Sequence, residues 1–240
     1  MLKILRINNH KMKKIKLLFL ALFLGFVGQE AMAQDSAYVN NEYAKAMALY
    51  NRAQRYNDVT VSKQALLEMT LLNPGDTSVL KSLAEIYFGN GQFVSSAMVA
   101  MDMINLHPNN LFALEVAAVS YENLRLYDKA IEQYEAMWLA TDNSTILYQV
   151  SYLQYLLDRY EQANSNLSIL TGKVAADEVI GLAKEDGSTQ EVKFSAAVEN
   201  LKGLIALDQG NKEKARGHFT KALEISPEFE AAQNSLNGLK

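Results

Sequence analysis

The chain has 240 residues, 49 % hydrophobic and 21 % charged, with a formal net charge of −4. That balance belongs to a folded protein and excludes a disordered, highly charged chain. Cysteine is absent, which excludes disulfides, Cys-ligated zinc, a thiol nucleophile and a lipid-bearing N-terminal cysteine.

The first segment has the make-up of an export signal. Lys11, Lys13, Lys14 and Lys16 precede the apolar run Leu17 to Val27, and Ala31-Met32-Ala33 offers a small-x-small cleavage site. Cleavage is expected after Ala33. The run is shorter than the ~20 residues of a spanning helix, and Met12 begins a complete signal by itself. Loss of residues 1–33 takes six of the 23 basic residues and one of the 27 acidic ones, leaving 17 and 26, a net charge of −9. Such a surface repels phosphate backbones and anionic lipid, so neither nucleic acid nor an anionic membrane is an expected partner.

A polar leader, 34–42, comes next. From Glu42 to Tyr56 apolar residues fall at Tyr43, Ala46, Met47, Tyr50 and Ala53, in the steps of three and four of an amphipathic helix. Asn57-Asp58 breaks it, and Val61 to Leu72 supplies a second helix. Asn73-Pro74-Gly75-Asp76 closes the pair, because proline cannot continue a helix and pushes its neighbour to extended geometry.

The stretch Thr77 to Asn110 then recurs at a spacing of 34: Leu80 becomes Leu114, Ala84 becomes Ala118, Tyr87 becomes Tyr121 and Phe93 becomes Tyr127. Two apolar-periodic segments and a turn at that period predict a helical repeat. Small residues at fixed places, Ala84 and Ala118 on the first helices and Ala97, Ala100 and Ala130 on the second, let helices approach closely.

A fourth unit starts at Thr145 with Tyr148, Tyr152 and Tyr155. Tyr160 and Ala163 fall one residue early, which predicts a shortened turn inside this unit. Asn164, Ser165, Asn166 and Ser168 make its second helix, Glu161 to Leu170, a weak one. Repeats 1–4 thus span 43–170.

Residues 171–195 are an insertion. Asp186-Gly187 is a turn signal between Val179-Ile180-Gly181-Leu182 and Gln190-Glu191-Val192, which predicts a short hairpin or an ordered loop. A fifth unit, 196–229, carries Gly203, Gly210, Ala215, Phe219, Ala222 and Pro227. Residues 230–240 close the chain as a capping helix whose apolar stripe, with Phe229, is Ala232, Leu236 and Leu239. The three prolines, Pro74, Pro108 and Pro227, share one place in the repeat.

These residues resemble the tetratricopeptide repeat. Leu80, Leu83-Ala84, Tyr87, Gly91, Phe93 and Pro108 follow the family pattern; so do Leu114, Ala118, Tyr121, Tyr127, Ala130 and Tyr134. Lys212 departs from it where the turn aromatic belongs. The resemblance implies an all-α solenoid, a right-handed superhelix of antiparallel helix pairs. It implies that first-helix residues line a concave face that holds a peptide or a partner's helix. Carried onto this chain, those positions are Lys81, Glu85 and Phe88; Glu115, Val119 and Glu122; Gln149, Leu153 and Leu156. The layout resembles an exported protein of a Gram-negative bacterium, in the periplasm or at the outer-membrane periphery.

Catalytic constellations are missing from the sequence. His107 and His218 lie in distant repeats, and the glycines are scattered one per turn. No metal, cofactor or enzyme activity is expected. The expected function is a non-enzymatic scaffold that binds a protein or peptide segment within a cell-envelope assembly. The alternative is a structural subunit that docks through its insertion or convex face on an outer-membrane complex.

Overall fold

A computed structural model describes residues 36–184 and 186–239, so the expected signal, 1–33, lies outside them. The described chain is all-α apart from one β-hairpin, with its helices in consecutive antiparallel pairs of the tetratricopeptide type. It divides into two compact units that part between Val79 and Leu80.

The first unit holds α1 (36–55), α2 (Val59–Leu72) and the opening residues of α3 (Thr77–Gly89). Residues 36–42, read from sequence as a polar leader, are the first turns of α1. No glycine or proline interrupts 36–55, so nothing stops the helix from running back through them. Asn57 takes a left-handed φ of 53° in the turn. The Asp58 carboxylate caps α2 by accepting from the Val61 N–H at 3.0 Å. Asp76 caps α3 through the Ser78 N–H at 3.0 Å, and its other oxygen accepts from the Tyr43 hydroxyl at 2.6 Å. Ala46, Ala53, Ala65, Leu66 and Met69 are its buried apolar residues on α1 and α2.

The second unit runs from Leu80. It contains the rest of α3, then α4 (Phe93–Leu106), α5 (Leu111–Asn123), α6 (Tyr127–Thr141), α7 (Ser144–Leu156) and α8 (Tyr160–Lys173). The hairpin β1 (Val179–Ala183) and β2 (Thr189–Lys193) follows, then α9 (Phe194–Asp208), α10 (Lys212–Ile225) and α11 (Glu230–Gly238). Each helix pair turns over three residues: 90–92, 124–126, 157–159 and 209–211. Gly91 and Gly210 take left-handed φ values of 68° and 79° there, which glycine adopts without a steric penalty.

The turn of the fourth unit is therefore no shorter than the others. The missing residue lies ahead of α7. Four residues, 107–110, join α4 to α5, whereas only 142 and 143 join α6 to α7; α6 is one residue longer than α4, at 15 against 14. So α7 starts 33 residues after α5. The tight connection holds no proline, and Asp142 ends α6 with a left-handed φ of 53°. In the true register Leu80, Leu114 and Leu147 are equivalent, as are Ala84, Ala118 and Ser151, and all six are buried.

The second helix of that unit is well formed despite its polar sequence. The Ser165 and Ser168 hydroxyls donate to the carbonyls of Glu161 and Asn164 one turn back. Ala163, Leu167 and Leu170 present a buried stripe.

The insertion is the antiparallel hairpin, with Ile180 opposite Val192 and Leu182 opposite Gln190. It is narrower than 171–195, because α8 runs on to Lys173 and α9 begins at Phe194. Gly187 supplies the turn with a φ of 82°. Strand alternation puts Ile180 and Val192 on one face, where they join a core containing Leu147, Tyr148, Phe194 and Phe229. Phe229 and Ala232 are fully buried beneath α11.

Candidate binding site

Two cavities open on the side formed by the first helices of the pairs. The smaller, about 300 Å³, lies between α3 and α5 and is lined by Glu85, Phe88, Gly89, Phe112, Glu115, Val116 and Val119. Four of the nine positions expected from sequence meet there. Lys81 stands beside it, paired with Glu85 at 2.6 Å and 4.9 Å from the centre of the Phe112 ring.

The larger cavity, about 530 Å³, is walled by α7, α9, α11 and the hairpin, with Glu122 entering from α5. Gln149 and Glu122 are the two expected positions that reach it. The Glu122 carboxylate accepts from the Tyr134 hydroxyl at 2.9 Å and from the Gln149 amide at 2.8 Å. Burial, together with the charge of Glu122, pushes the Tyr134 phenol far above its ordinary value. Both donors to Glu122 are neutral, so its charge has no cationic partner among the described residues. Lys184, across the cavity, pairs with Glu230 at 2.7 Å.

Leu153 is a correction. It is fully buried in the core with Leu114, Ala118 and Ala130. Leu156 is exposed but lines neither cavity. The one-residue shift ahead of α7 is the cause: the positions equivalent to Glu115, Val119 and Glu122 are Tyr148, Tyr152 and Tyr155. Tyr148 is buried, with its ring edge-to-face on Phe194 at 5.6 Å. Tyr152 lines the large cavity and is 37 % exposed. Tyr155 lies between the Tyr152 and Tyr160 rings at 6.2 and 6.3 Å. Burial and a hydrogen bond to Asp208 push its phenol up. The signal in the sequence was the absence of proline from the α6–α7 connection, where the repeat otherwise places one.

Sequence reasoning also missed the wall contributed by α9 and the hairpin. Asn200 and Leu204 of α9, at the positions of Lys81 and Glu85, line the cavity together with Leu182, Lys184 and Gln190. The Gln190 side chain ties the hairpin to α11, donating to the Glu228 carbonyl at 2.5 Å and accepting from the Glu230 N–H at 3.2 Å. Asn200 is buried, and its Oδ1 has no hydrogen-bond partner. Among the described residues no group of three His, Asp or Glu side chains is placed to hold a metal ion, and no helix is long and apolar enough to cross a membrane.

Residues 196–229, the fifth repeat unit, match the tetratricopeptide repeat family model. The chain therefore carries a tetratricopeptide repeat in that unit. Solved structures of the same fold cover most of its length. One is YrrB, a tetratricopeptide repeat protein described as having an unusual peptide-binding site, at 12 % identity and a TM-score of 0.59, covering 80 % of this chain and 90 % of its own. Another is a tetratricopeptide repeat protein from Parabacteroides merdae, at 16 % identity and a TM-score of 0.58, covering 83 % and 72 %. A third is MamA from Desulfovibrio magneticus, at 14 % identity and a TM-score of 0.54, covering 79 % and 97 %. At such identities the likeness concerns the fold. No curated protein matches this chain in sequence.

Proposed function

We propose that this repeat protein is a non-enzymatic scaffold that holds a protein or peptide segment in the cavity between α7, α9, α11 and the hairpin. The observation that carries this reading is the make-up of that cavity. It is concave, and it combines apolar walls (Leu182, Leu201, Leu204) with a few convergent polar groups (Glu122, Gln149, Tyr152), as a recognition site does. That YrrB of the same fold has a peptide-binding site supports it. The export signal read in residues 11–33 supports a place in a cell-envelope assembly, at the periplasm or outer-membrane periphery.

A photocrosslinking residue at position 152 tests the reading in the native envelope. A defined crosslinked partner is expected there and not from the same residue at Glu161, an exposed position on α8. Crosslinks from 161 alone would overturn the assignment. Export is tested by the mass of the chain recovered from the periplasm, which should begin at Gln34.

A second reading, docking through the opposite face, is favoured by Val94 and Met98. They lie one turn apart on α4, a second helix of its pair, and are 58 % and 64 % exposed. It predicts that Met98→Glu abolishes association while Tyr152→Ala leaves it unchanged.

A further inference from the structure

The two edges of the hairpin differ in what lies beside them. In an antiparallel pair, residues alternate between bonding across the pair and directing their backbone groups outward. The Lys184 N–H donates to the Ser188 carbonyl and the Phe194 N–H to the Glu178 carbonyl, each at 2.8 Å. That parity makes Ile180–Val192 and Leu182–Gln190 the bonded pairs. It turns the N–H and C=O groups of Val179, Gly181 and Ala183 away from β2.

The outer edge of β2 is occupied at one end. Its Lys193 N–H donates to the Ser226 hydroxyl at 3.1 Å, and Gln190 is clasped to the start of α11. The outward groups of Thr189 and Glu191 carry no hydrogen bond among the described residues, but those two residues line neither cavity. No hydrogen bond to the outward groups of Gly181 or Ala183 occurs among the described residues, and both residues are exposed. An open strand edge is a template for another extended chain. Gly181 and Ala183 also line the large cavity, so a chain paired with β1 would have its alternate side chains beside it.

The charge of the site narrows the partner. Lys184 and Glu230 neutralise each other, whereas Glu122 is held by neutral donors only. Tyr152 presents an aromatic face in the same cavity. An uncompensated carboxylate beside a tyrosine suits a lysine or arginine side chain, through ion pairing and cation–π attraction.

Resting on the reading that the cavity holds a polypeptide segment, we propose that this segment binds in extended form as a third strand on the open edge of β1. It carries a lysine or arginine that meets Glu122. Main-chain pairing supplies affinity, and the cavity supplies the choice of side chain.

The test begins with a random decapeptide phage library panned on the purified full chain. The enriched peptide is then made with a fluorescent label, and again with N-methyl groups on each of the two alternate sets of amides. Peptides containing Lys or Arg are expected to enrich. One methylated set should bind at least ~10-fold more weakly and the other within ~2-fold, because an added strand presents only alternate amides to its neighbour. Ala183→Pro, which removes one outward N–H and none from the β1–β2 ladder, should weaken binding by ~10-fold with an unchanged melting temperature. Glu122→Gln should weaken it several-fold.

Equal binding by both methylated peptides, with no effect of Ala183→Pro, overturns strand addition. Enrichment of peptides without basic residues overturns the charge assignment. If either occurs while Tyr152→Ala still abolishes binding, the cavity reading stands and only the mode fails. Binding indifferent to Tyr152→Ala, or no enrichment at all, overturns both.

Discussion

The ring of Phe219 on α10 fills the space that a side chain on Gly203 of α9 would need. A Cβ built on Gly203 would stand 2.4 Å from Cε1 and 2.6 Å from Cδ1 of that ring, and Phe219 is fully buried. The equivalent pairs in the earlier units are Ala84 with Ala100, Ala118 with Tyr134 and Ser151 with Leu167. The fifth unit differs from these in having glycine on the first helix, and the Phe219 ring takes the space of its missing Cβ. Gly203→Ala should overpack this contact and destabilise the protein by about 1–3 kcal/mol. Thermal unfolding measures it; an unchanged melting temperature would mean that Phe219 is free to move aside.

Leu153 and Leu156 separate the two possible registers of α7. The observed register buries Leu153 and exposes Leu156. Leu153→Ala should cost about 2–5 kcal/mol of stability. Leu156→Ala should stay within about 0.5 kcal/mol of the parent, as surface changes do. Denaturant midpoints of the two variants are the check, and a reversed order would restore the 34-residue spacing between α5 and α7.

Glu199 occupies the place held by Leu80, Leu114 and Leu147 in the other units. Its carboxylate meets Nδ1 of His218 at 2.8 Å, Nζ of Lys221 at 2.9 Å and Nζ of Lys202 at 3.7 Å. Burial pushes the group up, but the hydrogen bonds from His218 and Lys221 and the nearby Lys charges outweigh it, so it titrates below its ordinary value of 4.5. A depressed carboxyl contributes stability that is fully present above the unfolded value and is lost as pH falls through the folded one. Glu199→Gln should therefore destabilise by about 1–3 kcal/mol at neutral pH, and the gap should narrow below pH 4.5. Urea unfolding of both proteins across pH 3 to 7 would show it; a gap independent of pH would assign the effect to packing.

Lys212 begins α10 where Phe93, Tyr127 and Tyr160 begin α4, α6 and α8. Phe93 packs edge-to-face on Phe88 at 5.5 Å, and the equivalent of Phe88 is Leu207. Lys212→Tyr should lay a ring on Leu207 and leave stability unchanged or raised by about 0.5–1 kcal/mol. A fall in melting temperature would show that the turn of the fifth unit differs from the rest.

Deleting the insertion to test its role would also open the core, because Ile180 and Val192 pack with Phe194 and Phe229. Point changes on the open edge of β1 are the cleaner probe.

Much of this protein is set by local chemistry and was legible in the chain. Apolar spacing defined the helices, Asn-Asp and Pro-Gly steps ended them, Asp186-Gly187 marked the hairpin, and recurrence at 34 marked the repeat. These depend on residues within one or two turns of each other, which a sequence states directly. What the sequence left open depended on which residues meet across the fold. The α6–α7 connection is two residues shorter than the α4–α5 one and α6 is one residue longer than α4, which leaves a net shift of one. That turns α7 by about 100° per residue of helix, sending Leu153 inward and Tyr152 outward. The cavity arises only where α7, α9, α11 and the hairpin converge, because its walls come from residues more than a hundred positions apart. The open edge of β1 has the same origin: strand propensity makes both strands, but only the packing of the hairpin among the helices places that edge beside the cavity.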